Sequence, residues 1–154
     1  MTEHKSDAAT TPPPIQLIAN LVVHDGGGRV LLVDYDLPDE LEAAGPTGPG
    51  DGGEPARWWL PGRELEPYQH PDEAAAAALV EVAGLTVRSS ELAAVQSFRG
   101  RRGWHVSFDY RVLADGEPIP GSQVTARWFD RAGLPRTAHG SWERAVVQSV
   151  LGSG

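Results

Sequence analysis

The sequence predicts an α/β (α+β) fold in which a mixed β-sheet core is flanked by helices. Three observations favour this class. Apolar runs typical of strands recur along the chain, an alanine-rich helix interrupts them after residue 70, and an amphipathic helix closes the sequence at Ser141 to Leu151. The predicted order is hairpin, long loop, strand, helix, hairpin, strand and helix, with Ser141 as the cap of the last helix.

The first predicted element is a hairpin. Ile15 to His24 is rich in β-branched and other apolar residues, Asp25 to Gly28 has the composition of a turn, and Arg29 to Tyr35 resumes the apolar run. Residues 37–56 contain five glycines and four prolines, which predicts a long flexible loop.

The domain boundaries follow from composition. Residues 1–14 are polar and end in three prolines, so we expect a disordered N-terminal tail. Residues 15–151 are then expected to form one domain, because a chain of 154 residues is long enough to bury a single core.

The clearest helix is predicted over Pro71 to Ala83. Pro71 suits the first turn, the acidic residues Asp72 and Glu73 favour the positive end of the helix dipole, and five alanines follow. Gly84 is placed as the stop. The remaining predicted elements are a short strand at Arg57 to Leu60 with a turn at Pro61 and Gly62, strands at Leu92 to Phe98 and Trp104 to Leu113, and a strand at Val124 to Phe129.

Composition limits the partners. The formal charge of −8 argues against general nucleic-acid binding, which needs a basic face, but a local arginine cluster can still bind a small anion. Cysteine is absent, which excludes disulfides, thiol nucleophiles and thiolate zinc sites. With no apolar run long enough for a bilayer and no secretory signal, we expect a cytoplasmic protein without a membrane partner. The oligomeric state stays open, a homodimer included.

Residues 60–85 resemble the Nudix box, the strand–loop–helix motif of hydrolases that act on nucleoside diphosphates linked to another group. The family pattern is G, five residues, E, seven residues, REU, one residue, EE, one residue, GU, where U is aliphatic. Aligned without gaps on Gly84 and Leu85, the chain keeps the family residue type at Leu60, Pro61, Gly62, Glu66, Pro71, Glu73, Leu79 and Glu81. A late strand and turn at residues 126–135 also resemble the family, so the likeness covers about residues 15–151 and implies a Nudix-like fold.

The departures concern charge. Only Glu81 remains of the four box glutamates that, as the resemblance implies, hold magnesium ions bridging the substrate phosphates. One carboxylate makes a poor magnesium site, although phosphates and waters are able to complete the octahedron. The substituted positions are Arg63 for glycine, Gln69 for the first glutamate, Ala77 and Ala78 for the Arg-Glu pair, and Val82 for the last glutamate.

The candidate catalytic residues are Glu81, as metal ligand or general base, and His105, as an acid or base on a strand. Glu66 and Glu73 lie near the loop–helix junction and are candidate replacement metal ligands beside Glu81. The competing interpretations are ordinary ones: a half-exposed helix carboxylate, a structural strand histidine and acidic residues that complement the helix dipole.

The candidate ligand-binding residues are aromatic or cationic. Trp58 and Trp59 are adjacent in a strand and should face opposite sides, so that one of them is placed to stack on a planar ligand. Arg99, Arg101 and the neighbouring Arg102 at a hairpin tip, with Arg63 in the box, are candidate phosphate contacts. Packing beneath the 37–56 loop and a solvated hairpin tip are the structural alternatives.

Two functions follow from the damaged box. The first is a Nudix-fold protein that binds a nucleotide-like or other small ligand without the magnesium-dependent pyrophosphohydrolase mechanism, as a sensor or a repurposed enzyme. The second is a divergent active hydrolase in which Glu81 and nearby carboxylates hold Mg²⁺. No other cofactor is indicated.

Overall fold

A computed structural model describes residues 15–34, 58–100, 103–119 and 124–152. The predicted tail, the 37–56 loop, Arg101 and Arg102 therefore lie outside the described residues. The described chain forms six strands and two α-helices: β1 (Ile15–His24), β2 (Arg29–Asp34), β3 (Gly62–Glu64), α1 (Pro71–Val80), β4 (Leu85–Gly100), β5 (Gly103–Gly116), β6 (Thr125–Asp130) and α2 (Trp142–Leu151).

The six strands form one mixed sheet, as the sequence predicts. Its order is β4-β5-β1-β2-β6, and β3 pairs with β1 beside that path. β1 runs parallel to β5 along its whole length, from Ile15 opposite Trp104 to His24 opposite Leu113, and the other pairs are antiparallel.

The helices cover opposite faces of the sheet, because successive side chains of a strand alternate between its faces. Ala19, Leu21 and Val23 of β1 share one apolar cluster with the buried residues of α1. Val22 of β1 belongs to a second cluster with the valines of α2. Neither helix is long and apolar enough to cross a bilayer.

β1 and β2 separate soon after their turn. They pair only at His24 opposite Val30, whereas β3 pairs with β1 at Ile18 to Asn20. The segment of residues 58–65 crosses the gap between them. Trp59 exchanges two backbone hydrogen bonds of 2.9 Å with Val33 of β2, and further along the Pro61 carbonyl accepts a hydrogen bond of 2.8 Å from the Leu21 N–H of β1.

The turn predicted at Pro61 and Gly62 is wrong, because Gly62 opens β3. A Cβ atom at residue 62 would lie 2.4 Å from the Ala19 carbonyl oxygen, which only glycine avoids. The strand predicted at Arg57 to Leu60 is reduced to single bridges at Trp58 and Trp59 within the described residues.

Two element boundaries also differ from the prediction. α1 ends at Val80 rather than Ala83, with Glu81 as its C-cap. β4 begins at Leu85 rather than Leu92, since its exposed first half pairs with β5 through backbone groups, which do not require apolar side chains. Ser141 precedes α2 but makes no side-chain capping bond.

Candidate functional site

Arg63 and Glu81 face each other across the box. Arg63 stands opposite Ala19 in the pairing of β3 with β1, on the α1 side of the sheet. Its Nη1 lies 3.9 Å from Oε2 of Glu81, and the two side chains are 37% and 26% exposed. A long, partly exposed pair of this kind contributes about 1 kcal/mol at most. The residue that departs from the box glycine therefore provides the nearest cation to the one retained box glutamate.

The loop before α1 is closed by its own side chains. Oε1 of Gln69 accepts a hydrogen bond of 2.9 Å from the Glu66 N–H, and the Glu66 carbonyl accepts one of 2.9 Å from the Gln69 N–H. Gln69, which replaces a box glutamate, thus holds the loop without a charged partner. Glu66 itself is exposed.

A reciprocal capping box begins α1. Nδ1 of His70 accepts a hydrogen bond of 3.0 Å from the Asp72 N–H, and Oε1 of Glu73 accepts one of 3.2 Å from the His70 N–H. Asp72 in turn accepts a hydrogen bond of 2.5 Å from the Tyr110 hydroxyl of β5. The Glu73 carboxylate is therefore engaged at the helix end rather than beside Glu81.

Two other box positions face the core. Ala78 and Val82 are only 2% and 5% exposed, and both belong to the apolar cluster between α1 and the sheet. As the resemblance implies, these positions carry glutamates in the family, so here methyl groups occupy both positions, one on the inner face of α1 and one just after its C-cap Glu81. The described residues contain no group of three or more histidine, aspartate or glutamate side chains arranged to hold a metal ion. Glu66, Glu73 and Glu81 do not form such a group in that part of the chain, and their role as metal ligands remains a prediction.

Trp58 and Trp59 lie where β1 and β2 separate, and both are half-buried. They pack on opposite sides, as strand alternation predicts: Trp59 against the α1 cluster and Trp58 against the α2 cluster. The Trp58 ring meets Phe129 edge-on at 4.9 Å, with the Arg127 guanidinium 5.5 Å from its centre. The tryptophan pair therefore joins the two cores at the edge of the gap.

A histidine–glutamate pair lies beside the tryptophans. Nδ1 of His139 lies 2.6 Å from Oε2 of Glu143, and the His139 N–H donates to Oε1 at 3.2 Å. Glu143 is 1% exposed. The imidazole stands edge-on to Trp59 at 5.0 Å and to Trp142 at 5.5 Å. Neither residue is among those predicted from the sequence, although their spacing of four residues next to a predicted helix is a recognisable signal.

His105 lies in the interior. It is fully buried on β5, its Nδ1 is 2.9 Å from the Gly103 carbonyl oxygen, and its ring stacks on Phe98 at 5.3 Å. Its Nε2 has no hydrogen-bond partner among the described residues. Because Tyr110, five positions along the strand, faces α1, His105 faces the α2 side. The structure thus does not bring His105 to Glu81, and catalysis by either residue stays a prediction.

A buried polar cluster continues the same face of β5. Asn20 Nδ2 donates a hydrogen bond of 2.8 Å to Ser107 Oγ, whose hydroxyl donates to Asp109, and the Gln96 amide also donates to Asp109. Burial raises the pKa of Asp109, and the hydrogen bonds oppose that shift. This cluster was also missed, yet polar residues at positions 105, 107 and 109 of a strand are its period-two signal.

The arginines proposed as phosphate contacts are dispersed. Arg99 is exposed at the end of β4, Arg63 faces Glu81, and Arg101 lies outside the described residues. Their role as ligand contacts remains a prediction.

Solved structures share this architecture. The MutT Nudix hydrolase from Burkholderia pseudomallei matches with a TM-score of 0.62 and 20% identity over 89% of this chain and 98% of that chain. A MutT from Aliivibrio salmonicida or Vibrio cholerae gives 0.56 and 18% over 92% and 100%. A Nudix hydrolase from Nitrosomonas europaea gives 0.53 and 14% over 76% and 73%.

No protein-family model matches the sequence, and no curated protein matches it significantly. The structural likeness covers nearly the full length of two of these proteins. At this level of identity it establishes the shared architecture, and the chain therefore has the Nudix fold.

Proposed function

We propose that this protein uses the Nudix fold to bind a nucleotide-like or other small ligand without the magnesium-dependent pyrophosphohydrolase mechanism. The observation that carries the proposal is the environment of Glu81. Its carboxylate faces Arg63 at 3.9 Å, and Ala78 and Val82 beside it are buried in the core. A divalent ion at Glu81 would therefore meet a neighbouring cation and apolar side chains instead of further carboxylates.

Trp58 and Trp59 support the binding part of the proposal. They lie at the gap between β1 and β2, next to the oriented imidazole of His139. Half-buried aromatic rings at a gap in a sheet offer a stacking surface that a flexible aliphatic side chain does not. The ligand class that fits is a planar base or another aromatic group, and the Arg127 guanidinium, 5.5 Å from the Trp58 ring centre, is a cation available to an anionic substituent.

The test is a thermal-shift screen of nucleotides and nucleotide sugars, each in Mg²⁺ and in EDTA. A ligand that binds only the native state raises the Tm, because it stabilises that state by RT ln(1 + [L]/Kd). We expect a ligand whose stabilisation is equal in the two buffers and is reduced in Trp58→Leu and Trp59→Leu. Trp104→Leu is the matched control, because the Trp104 ring is exposed on β5, where its Nε1–H donates a hydrogen bond of 2.7 Å to Ser97 Oγ.

The divergent hydrolase is the competing function, and the same protein decides between the two. Release of phosphate or a nucleoside monophosphate that requires Mg²⁺ and disappears in Glu81→Gln would overturn the proposal. Stabilisation that appears only with Mg²⁺ would count against it in the same way, since it would place a metal ion in the binding step.

A further inference from the structure

A groove of about 490 Å³ lies on the α2 side of the sheet, on the opposite face from the Nudix box. The 3₁₀ turn after β6 (Arg131–Gly133) and α2 form its walls, and Gly28 of the β1–β2 turn also lines it. Its lining includes Gly28, Arg131, Leu134, Arg144, Val147 and Gln148. Nothing in the proposed function uses these residues.

The two arginines of the groove differ from most of the others in the described chain. Neither Arg131 nor Arg144 has a carboxylate within ion-pair distance among the described residues. The Arg144 guanidinium instead donates a hydrogen bond of 3.1 Å to the Leu134 carbonyl, which fixes it at the groove wall and leaves its other N–H groups available. By contrast, ion pairs join Arg29 to Asp25, Arg63 to Glu81, Arg88 to Asp115, and Arg111 to Glu91.

The positive charge of Arg131 also affects His24. Burial lowers the pKa of His24, the positive charges of Arg111 and Arg131 lower it further, and Asp25 opposes them. The protein as a whole carries a formal charge of −8. Two arginines without carboxylate partners give this cavity a local positive charge, although the protein as a whole is acidic.

The groove also has an apolar floor. Leu134 and Val147 belong to the apolar cluster beneath α2 and present their remaining surface to the cavity. The Gln148 amide adds a neutral hydrogen-bonding group at the edge. Arginine binds phosphate and carboxylate oxygens in a two-pronged geometry, and an apolar floor favours a ligand whose anionic group is attached to a small apolar body.

We propose that the groove between Arg131 and Arg144 is a second binding site, which takes a small phosphorylated molecule with an apolar portion. Arg131 and Arg144 hold the phosphate from two walls, and the apolar portion lies on Leu134 and Val147. This site is separate from the tryptophan pair, so it stands or falls independently of the proposed function.

Phenyl phosphate is a suitable probe, with inorganic phosphate and phenol as its two halves. In ¹H–¹⁵N spectra of the full chain, we expect phenyl phosphate to shift the amide signals of Arg131 to Leu134 and of Arg144 to Gln148. Inorganic phosphate should shift the same signals with weaker affinity, and phenol should not. Arg131→Gln and Arg144→Gln should each raise the Kd about tenfold, which corresponds to about 1.4 kcal/mol.

Arg88→Gln is the matched control, because it removes the same charge from the exposed Arg88–Asp115 pair on β4 and β5. It should leave the Kd within about twofold, as expected for a distant, screened charge. Unchanged signals at the groove with millimolar phenyl phosphate would overturn the proposal. An equal loss of affinity in all three variants would also overturn it, because that result would indicate attraction by net charge rather than by the groove.

Discussion

At the residue scale, Asp109 has its carboxyl group in a buried polar cluster of the sheet. It is fully buried, and its carboxyl group accepts hydrogen bonds from Ser107 and Gln96. Burial favours the protonated form and raises the pKa of Asp109 above its ordinary value of 3.8, against the effect of the hydrogen bonds. A buried acid of this kind makes the stability of the fold depend on pH.

The direction of that dependence follows from proton binding. Between the unfolded and the raised folded pKa, the folded state holds a proton that the unfolded state has lost. The free energy of unfolding therefore falls as the pH rises from about 4 through the folded pKa of Asp109. We expect Asp109→Asn to remove this fall, so that the difference in unfolding free energy shifts in favour of the variant between pH 4 and pH 8.

Urea unfolding at several pH values measures this difference. Asp115→Asn is the control in the same strand, since the Asp115 side chain is 48% exposed and pairs with Arg88. The difference in unfolding free energy between Asp115→Asn and the wild type should not shift in favour of the variant as the pH rises. Parallel profiles for the wild type and Asp109→Asn would contradict the assignment of a raised pKa to Asp109.

At this scale, individual residues of the site are easier to predict from the sequence than the partners that they contact. Glu81, Trp58 and Trp59 are recognisable from a motif or from their residue type. The partners of a side chain depend on strand register, and register is set by backbone pairing that a sequence pattern does not fix. The contacts of Glu81 with Arg63 and of Glu143 with His139 could therefore not be predicted with their geometry.

At the element scale, the start of α1 separates two interpretations of Glu73. Its carboxylate accepts a hydrogen bond of 3.2 Å from the His70 N–H, which satisfies a backbone donor at the helix start. We expect Glu73→Ala to lower the free energy of unfolding by about 1 kcal/mol and Glu73→Gln to lower it by only a few tenths, because glutamine keeps an acceptor oxygen.

Chemical denaturation of the three proteins provides the measurement. Glu66→Ala is the matched control, because Glu66 is exposed in the preceding loop. This substitution removes the same charge but no capping bond. Equal losses for Glu73→Ala and Glu73→Gln would show that the negative charge matters more than the cap. Such a result would favour an interaction of the Glu73 charge with the helix dipole over the capping bond.

A helix or strand could be predicted where its own residues carry the pattern that identifies it. Apolar runs predicted β1, β5 and β6, and the alanine run predicted α1. β4 was predicted too short because residues 86–91, all polar except Val87, lie in the part of β4 that pairs with β5 through backbone groups, while their side chains face solvent. The separation of β1 from β2 also escaped prediction, since it depends on β3 arriving from residues beyond the long loop.

At the scale of the whole molecule, the Nudix fold is intact while most of the charge of its box is gone. Ala78 on the inner face of α1 and Val82 in the turn after it contribute to the core cluster with β1 and β5. A carboxylate at either position would be buried, and an unpaired buried charge costs about 3–5 kcal/mol. The apolar side chains at these two positions therefore favour the folded state, compared with buried carboxylates.

Restoring the two carboxylates tests this relation between fold and chemistry. We expect Ala78→Glu/Val82→Glu to have a lower Tm than the wild type in EDTA, because two desolvated charges face the core beside Glu81. Millimolar Mg²⁺ should recover part of the loss, since a cation bound only by the folded state stabilises it by mass action. The wild type should show no such recovery.

The control is Ala78→Gln/Val82→Gln, which adds side chains of similar size without charge. It should lose stability through overpacking and through buried amides, but Mg²⁺ should leave its Tm unchanged. Calorimetry of the three proteins in EDTA and in Mg²⁺ makes the comparison. If Mg²⁺ raised the Tm of the wild type as much as that of the glutamate variant, a metal site would already exist at Glu81. If it raised neither, α1 would no longer present these positions as a metal-binding face, and the fold would have diverged beyond the loss of its charges.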